Sequence, residues 1–340
     1  MARRATAQDV ANLAGVSRSS VSLVLNGHGD GNIAPAKQAA IIDAARQLGY
    51  RPNTLALSLR NRRTRTLGVL TWQGESGFPE VLLHAGGETA TAAGYLSILM
   101  DTANDPVVEA RAVTTMLDRQ VDAIVVVSPE LVDYHPSELL ADTPTVLINC
   151  TDPEGRTSSV TPDEFGAAQC ATNILINHGH RRIALLTDDA PTAQIQARVA
   201  GVHSAARLAG ITPSVLVADR PDIQQGARLT REALTAPQPP TGLVTTRERL
   251  ALGAVLAATD LQVAIPGALS VISLEDGERL APNLVPPLAT MQRPDRAMAE
   301  QALAVLLREL TSEDGDGKVR HLSFACPPDL RGSTGPAPPA

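Results

Sequence analysis

Four side chains near the amino terminus have the types and spacing to read a nucleic acid. Arg18, Ser19, Ser22 and Leu23 point away from the apolar residues Val21, Val24 and Leu25 of one short helical segment. A guanidinium can bond O6 and N7 of a guanine together, whereas a leucine offers only apolar contact, for instance to a thymine methyl. Other elements must hold this segment in place. Ser17 caps it, and Thr6 followed by Asp9 reads as the cap of a preceding helix with an acid in its first turn. Val10 and Leu13 are spaced to face a core, and Ala14-Gly15-Val16 reads as a tight turn in which Gly15 takes a positive φ. Two short helices joined by a turn with a central glycine form a helix-turn-helix, whose second helix presents its first side chains to the major groove. Pro35 opens a third helix, 36–48, ended by Gly49, with Ile41, Ala44, Ala45 and Leu48 as its buried stripe.

The charge distribution points the same way. The 340 residues carry a net charge of −7, yet positions 1–65 hold ten Lys or Arg against three acids. The head is therefore +7 and the remainder −14. A basic head on an acidic body implies a polyanionic partner for the head alone.

Catalytic patterns are missing from the sequence. There is no phosphate-cradling glycine loop, nucleophile elbow or dinucleotide fingerprint, and Gly86-Gly87 falls inside a predicted helix. The seven His show no evident partners, and His178 and His180 read as structural residues of a turn. Cys150, Cys170 and Cys326 lack metal-ligand spacing and read as reduced thiols. The expectation is a chain that is not an enzyme and needs no cofactor or metal. No apolar run is long enough for a bilayer, and the first ten residues lack an export signal, which predicts a cytoplasmic protein with no membrane partner.

From Thr66 onward short apolar runs alternate with amphipathic stretches. Strands are predicted at 67–70, 96–100, 123–127, 145–148, 183–187, 243–245 and 270–274, with helices at 80–93, 107–119, 163–177, 194–208, 223–234 and 249–259. That alternation gives parallel sheets flanked by helices, and the length fits two of them. Ligands of such α/β sheets lie beyond the carboxyl ends of the strands.

An ordered series of motifs resembles the lactose-repressor (LacI/GalR) family. It comprises Asp9-Val10-Ala11, Ala14-Gly15-Val16-Ser17, Val21 through Asn26-Gly27, and Leu48-Gly49-Tyr50-Arg51-Pro52-Asn53. Asn177 through Ala184, Pro286-Pro287-Leu288-Ala289-Thr290 and Arg331-Gly332-Ser333-Thr334 extend it over nearly the whole chain. The resemblance implies an α/β fold: a three-helix helix-turn-helix domain (1–52), a hinge helix and linker (53–65), and a periplasmic-binding-protein-like clamshell of two Rossmann-like lobes (66–334). The Pro-rich tail 335–340 is expected to be disordered. The function implied is a homodimeric regulator, a repressor, binding double-stranded operator DNA under the control of a small-molecule effector.

Its DNA contacts would fall on Thr6, Ser17, Arg18, Ser19, Ser20, Ser22, Leu23, Asn26 and Tyr50 in the head, and on Asn53, Ala56, Leu59 and Arg60 in the hinge. Leu59 is implied to wedge a base step. Leu23 stands where the family usually has Arg, which bears on the operator sequence. The effector positions carried over are Asn149, Arg198, Arg247, Glu275 and Arg293, with Trp72 and Phe78 as candidate pocket walls. Arg247, Glu275 and Arg293 depart from the family pattern. Three guanidinium groups in one cleft predict an effector with an acidic group, unless Glu275 and Asp276 neutralise them and the ligand is an ordinary sugar. A DNA-binding dimer whose pocket has lost its ligand and a solute-binding protein sharing the clamshell are the alternatives; the second would require an export signal and no basic head.

Overall fold

Capping residues punctuate the first fifty positions where the sequence places them. In the computed structural model, which describes residues 5–50, 63–74, 79–277, 280–311 and 318–339, α1 spans Ala7–Ala14, α2 Arg18–Leu25 and α3 Pro35–Gln47. Thr6 and Asp9 make a reciprocal capping box, Gly15 ends α1 at φ 66°, and the Ser17 side chain accepts the Ser20 amide at 3.1 Å. Thr6 and Ser17 satisfy helix-start amides, and the Gly15 amide satisfies the Ala11 carbonyl at the end of α1. Val10, Ala11, Val21, Ile41, Ala44 and Ala45 form the buried core of the head.

Two expected core residues lie elsewhere. Leu13 is 52% exposed, because the inward stripe of α1 is Ala7, Val10, Ala11 and Ala14, and Leu13 falls one position off it. Leu48 is 37% exposed: the chain leaves the helix at Gly49, φ 60°, and Tyr50 packs against the core instead.

The chain divides into two units, Met1–Thr64 and Arg65–Ala340. The second contains β1 (Thr66–Thr71), α4 (Glu80–Ala92), β2 (Leu96–Asp101), α5 (Pro106–Asp118), β3 (Ala123–Asp133), β4 (Thr145–Thr151) and β5 (Ser158–Pro162). Next come α6 (Glu164–Asn177), β6 (Ile183–Asp188), α7 (Ala193–Leu208), β7 (Ser214–Ala218), α8 (Ile223–Leu234), β8 (Gly242–Thr245), α9 (Glu248–Asp260), β9 (Ser270–Ser273) and β10 (Ala289–Met291). Then α10 (Asp295–Thr311), β11 (His321–Phe324) and β12 (Pro328–Asp329) complete it. Lobe 1 carries the all-parallel sheet β11-β5-β4-β3-β1-β2, and lobe 2 the sheet β12-β10-β9-β8-β6-β7, antiparallel only at β12. The chain crosses between lobes after β5, after β10 and after β11. α10 packs Met298, Ala302, Leu303 and Leu306 into the core of lobe 1.

Strands β5, β7, β10, β11 and β12 and helix α10 are additions to the elements expected from the sequence. The tail corrects the expectation of disorder. Gly335 is buried: its amide donates to Ser270 Oγ at 3.0 Å, its carbonyl lies 3.1 Å from His180 Nε2, and the Ala337 amide donates to the His178 carbonyl at 2.8 Å. Buried backbone groups satisfied in this way order the tail despite its proline content.

Candidate functional site

In the head, Arg18, Ser19 and Leu23 are exposed on α2, and Ser22 is half-buried with its hydroxyl 3.1 Å from Asn26 Nδ2. The Ser17 hydroxyl lies 2.8 Å from that of Ser19 and 2.9 Å from that of Ser20. Leu23 shares this helix with Arg18 and Ser19 as an exposed apolar group, 37% accessible. The helix thus offers one guanidinium, several hydroxyls and one leucine outside its core stripe. Asn53, Ala56, Leu59, Arg60 and Phe78 lie outside the described residues.

In the clamshell, one helix and two strand ends of lobe 2 present the three arginines. Arg198 projects from the middle of α7, which Gly201 allows to approach α6 closely; a Cβ there would lie 2.4 Å from the Phe165 carbonyl. Arg247 caps α9 directly after β8, and Arg293 follows β10. The Arg198 guanidinium donates to both Glu164 carboxylate oxygens, at 2.7 and 3.0 Å, and to the Thr246 carbonyl. Arg247 donates through Nε to Asp188 at 3.0 Å and through its terminal nitrogens to both oxygens of Glu130, at 2.9 and 3.3 Å. Glu275 lies 3.8 Å from Arg198 and 3.9 Å from Arg247. Arg293 bonds Asp295 and, at 3.2 Å, the Pro129 carbonyl. Burial alone would pull the Arg247 pKa down, but the carboxylates of Glu275, Glu130 and Asp188 more than offset it and hold it above the ordinary value. Burial and Asp295, aided by Glu164 and Glu275, act on Arg293 in the same opposed way, with the same net direction.

This geometry removes the premise for an acidic effector. Glu130, Glu164, Asp188, Glu275 and Asp295 surround Arg198, Arg247 and Arg293, so the carboxylates outnumber the guanidinium groups five to three. Asp276 holds Arg331 at 3.0 Å through Oδ2, while its buried Oδ1 has no hydrogen-bond partner among the described residues. These three arginines leave no uncompensated positive charge for an anionic ligand to meet.

Two cavities are lined by residues of this cluster. One, of about 690 Å³, is lined by Arg198, Glu275, Asp276, Gln292, Arg293 and Asp295 among others. The other, of about 520 Å³, is lined by Trp72, Gln73, Asn104, Glu130, Thr192 and Arg249 among others. Trp72 therefore does face a cavity, and its ring stacks on Tyr134 with centroids 6.3 Å apart. Asn149 is not brought to either wall. It is fully buried on β4 at φ 58°, donating from Nδ2 to the Ser128 carbonyl at 3.1 Å. The sequence reading missed Glu130, Glu164, Asp188, Gln194 and Asp295. Only Asp188 carries a readable signal, as an acid at the carboxyl end of a predicted strand.

A capped helix-turn-helix followed by a two-lobed α/β body with a polar cleft at its strand ends defines a ligand-responsive DNA-binding regulator. Residues 6–53 match the family described as bacterial regulatory proteins, lacI family, and residues 172–334 match a periplasmic binding protein-like domain. The chain thus joins a lacI-family DNA-binding domain to a periplasmic-binding-protein-like domain. The ribose operon repressor of Escherichia coli (strain K12) is 29% identical over 313 residues, covering 90% of this chain and 93% of the relative. The HTH-type transcriptional repressor PurR of Haemophilus influenzae (strain PittEE) is 27% identical over 330 residues, covering 96% and 97%. In fold, the chain matches the lac repressor dimer bound to operator and the anti-inducer ONPF, with a TM-score of 0.80 at 21% identity over 98% of this chain and all of that one. Among the described residues, no helix is long and apolar enough to cross a membrane.

Proposed function

We propose that this regulator is a homodimeric repressor whose cleft senses a small, uncharged polar molecule of the sugar type. The observation that carries the effector class is the internal neutralisation of Arg198, Arg247 and Arg293 by acids from both lobes. Carboxylates fixed by guanidinium groups, beside Gln292 and Trp72, can accept hydroxyl hydrogen bonds without a charged partner. The relatives named for ribose, and a solved regulator–cellobiose complex with a TM-score of 0.66 at 24% identity over 97% of this chain, support that class.

Dimerisation suits the surface. β2 and β7 are the edge strands of their sheets at equivalent places, and both leave apolar residues outward: Leu96 (66% exposed) and Leu99 on one, Val215 and Val217 on the other. Exposed apolar edges are a liability unless a second copy covers them. Two heads related by a two-fold axis would read the half-sites of a pseudo-palindrome.

Selection of bound fragments from a random DNA pool tests the reading. The expected result is enrichment of a two-fold-symmetric site, lost on Arg18→Ala. No enrichment above that of the Arg18→Ala protein would overturn it.

A further inference from the structure

Three consecutive residues of lobe 1 are each held by a side chain from lobe 2 or from the crossover after β10. The Pro129 carbonyl accepts from Arg293 at 3.2 Å. The Glu130 carboxylate receives the Arg247 fork at 2.9 and 3.3 Å. The Leu131 amide donates to Gln194 Oε1 at 3.0 Å. Arg247 and Gln194 belong to lobe 2, and Arg293 to the crossover that follows β10. The held stretch lies where β3 loses register with β4, between Val127 and Val132, so its backbone groups are released from the sheet ladder and are open to outside partners. Ser128 steadies the bulge by donating its hydroxyl to the Glu130 carbonyl.

The partners are built for this contact. Arg247 is 2% exposed and reaches Glu130 in lobe 1 while its Nε stays on Asp188 in lobe 2, so a single guanidinium spans the cleft. Gln194 is wholly buried at the start of α7. A buried forked ion pair breaks at high cost once either partner is left alone. Glu130 also lines the smaller cavity, and Glu275, 3.9 Å from Arg247, lines the larger one.

We propose that residues 129–131 with Arg247, Gln194 and Arg293 form a ligand-independent clasp that keeps the two lobes closed in the absence of effector. Arg247 supplies the cross-link between lobes that a bound molecule would otherwise supply. The clasp stands on these contacts alone; its regulatory meaning, that effector acts on an already closed protein, builds on the reading of the cleft as the effector site.

Amide hydrogen exchange on the full-length, ligand-free and DNA-free protein tests the clasp without reference to any effector. The Leu131 amide is the reporter, because its own acceptor, Gln194, is untouched by a change at Glu130. Glu130→Gln leaves the Arg247–Asp188 pair in place and is the milder variant. If the clasp opens as a unit, Glu130→Gln raises exchange at Leu131 by about tenfold or more, while the β3 core amide of Val125 keeps its protection. Arg247→Gln gives the same pattern, and combining either variant with Gln194→Ala adds little. Wild-type exchange at Leu131 in Glu130→Gln, with Gln194→Ala alone accelerating it, would reduce the three contacts to independent local bonds and overturn the proposal. A fall in Val125 protection in Arg247→Gln marks a folding defect, and Glu130→Gln then decides. Binding of a sugar by a Glu130→Gln protein with unchanged Leu131 exchange would overturn the clasp and leave the effector reading intact.

Discussion

Glu164→Gln removes one negative charge from the pair that neutralises Arg198 and changes almost nothing in volume. Both partners are buried, and both carboxylate oxygens are used, at 2.7 and 3.0 Å. Removing one partner of such a pair costs about 3–5 kcal/mol, because the remaining charge stays buried without compensation. Glu275, 3.8 Å from Arg198, retains part of the compensation, and the amide oxygen still accepts one bond, which places the loss near the lower end, at about 3 kcal/mol. For the body, residues 65–340, an unfolding entropy of about 2.1 cal/mol/K per residue converts this to a fall of about 5 °C in Tm. The control is Glu232→Gln, whose partner Arg228 lies 2.9 Å away on the open surface of α8; such exposed pairs contribute well under about 1 kcal/mol. Thermal melting of both variants, at one pH and salt, makes the comparison. Equal melting of the two would refute the claim that the cleft arginines depend on internal acids. The same variant should bind a sugar acid better, relative to its parent sugar, than wild type does in matched calorimetric titrations.

Other consequences are open to simple assays. Leu23→Arg is expected to change the half-site selected from random DNA toward guanine at one position, and identical selected sites would show that Leu23 does not face bases. Leu59→Ala, chosen on the sequence resemblance, is expected to weaken operator binding strongly in gel shifts while sugar binding to the body persists; wild-type operator affinity would remove the wedge. Operator affinity should fall steeply as salt rises, as phosphate contacts release counterions, and a flat log–log plot would contradict the basic head's role. Burial lowers the His180 pKa from its ordinary 6.5, so the ring stays neutral when folded and takes a proton more readily when unfolded. Its contribution to stability is therefore present above about pH 6.5 and lost as pH falls below it, and His180→Asn should flatten that decline in urea midpoints.

The sequence makes the head almost wholly legible because its signals are local. Thr6, Gly15, Ser17 and Pro35 act within one helical turn, and each lies at the helix end where its residue type predicts. The clamshell is legible as strands and helices wherever apolar runs are long. Short strands such as β10 and the edge strand β7 depend on pairing with neighbours, which periodicity does not carry. The arginines are found through family spacing, but their partners are not. Glu130 lies 117 residues from Arg247 and Asp188 lies 59 away, so the neutralising contacts exist only once the lobes fold and meet. For the same reason three like charges in the sequence suggest an anionic ligand, whereas in the fold these three arginines are already matched by internal acids. The tail misleads by composition: one carbonyl, that of Gly335, meets His180 and Ser270, and this fixes a segment whose prolines suggest none.

The central claim is that the cleft and the operator are coupled. The most direct test is fluorescence anisotropy of the selected operator, titrated with full-length protein at fixed salt, with and without a sugar whose binding changes the emission of Trp72, the only tryptophan. Saturating sugar is expected to shift the operator Kd by about fivefold or more, as a coupling of at least about 1 kcal/mol requires. An operator Kd that is the same with the cleft empty and filled would contradict it.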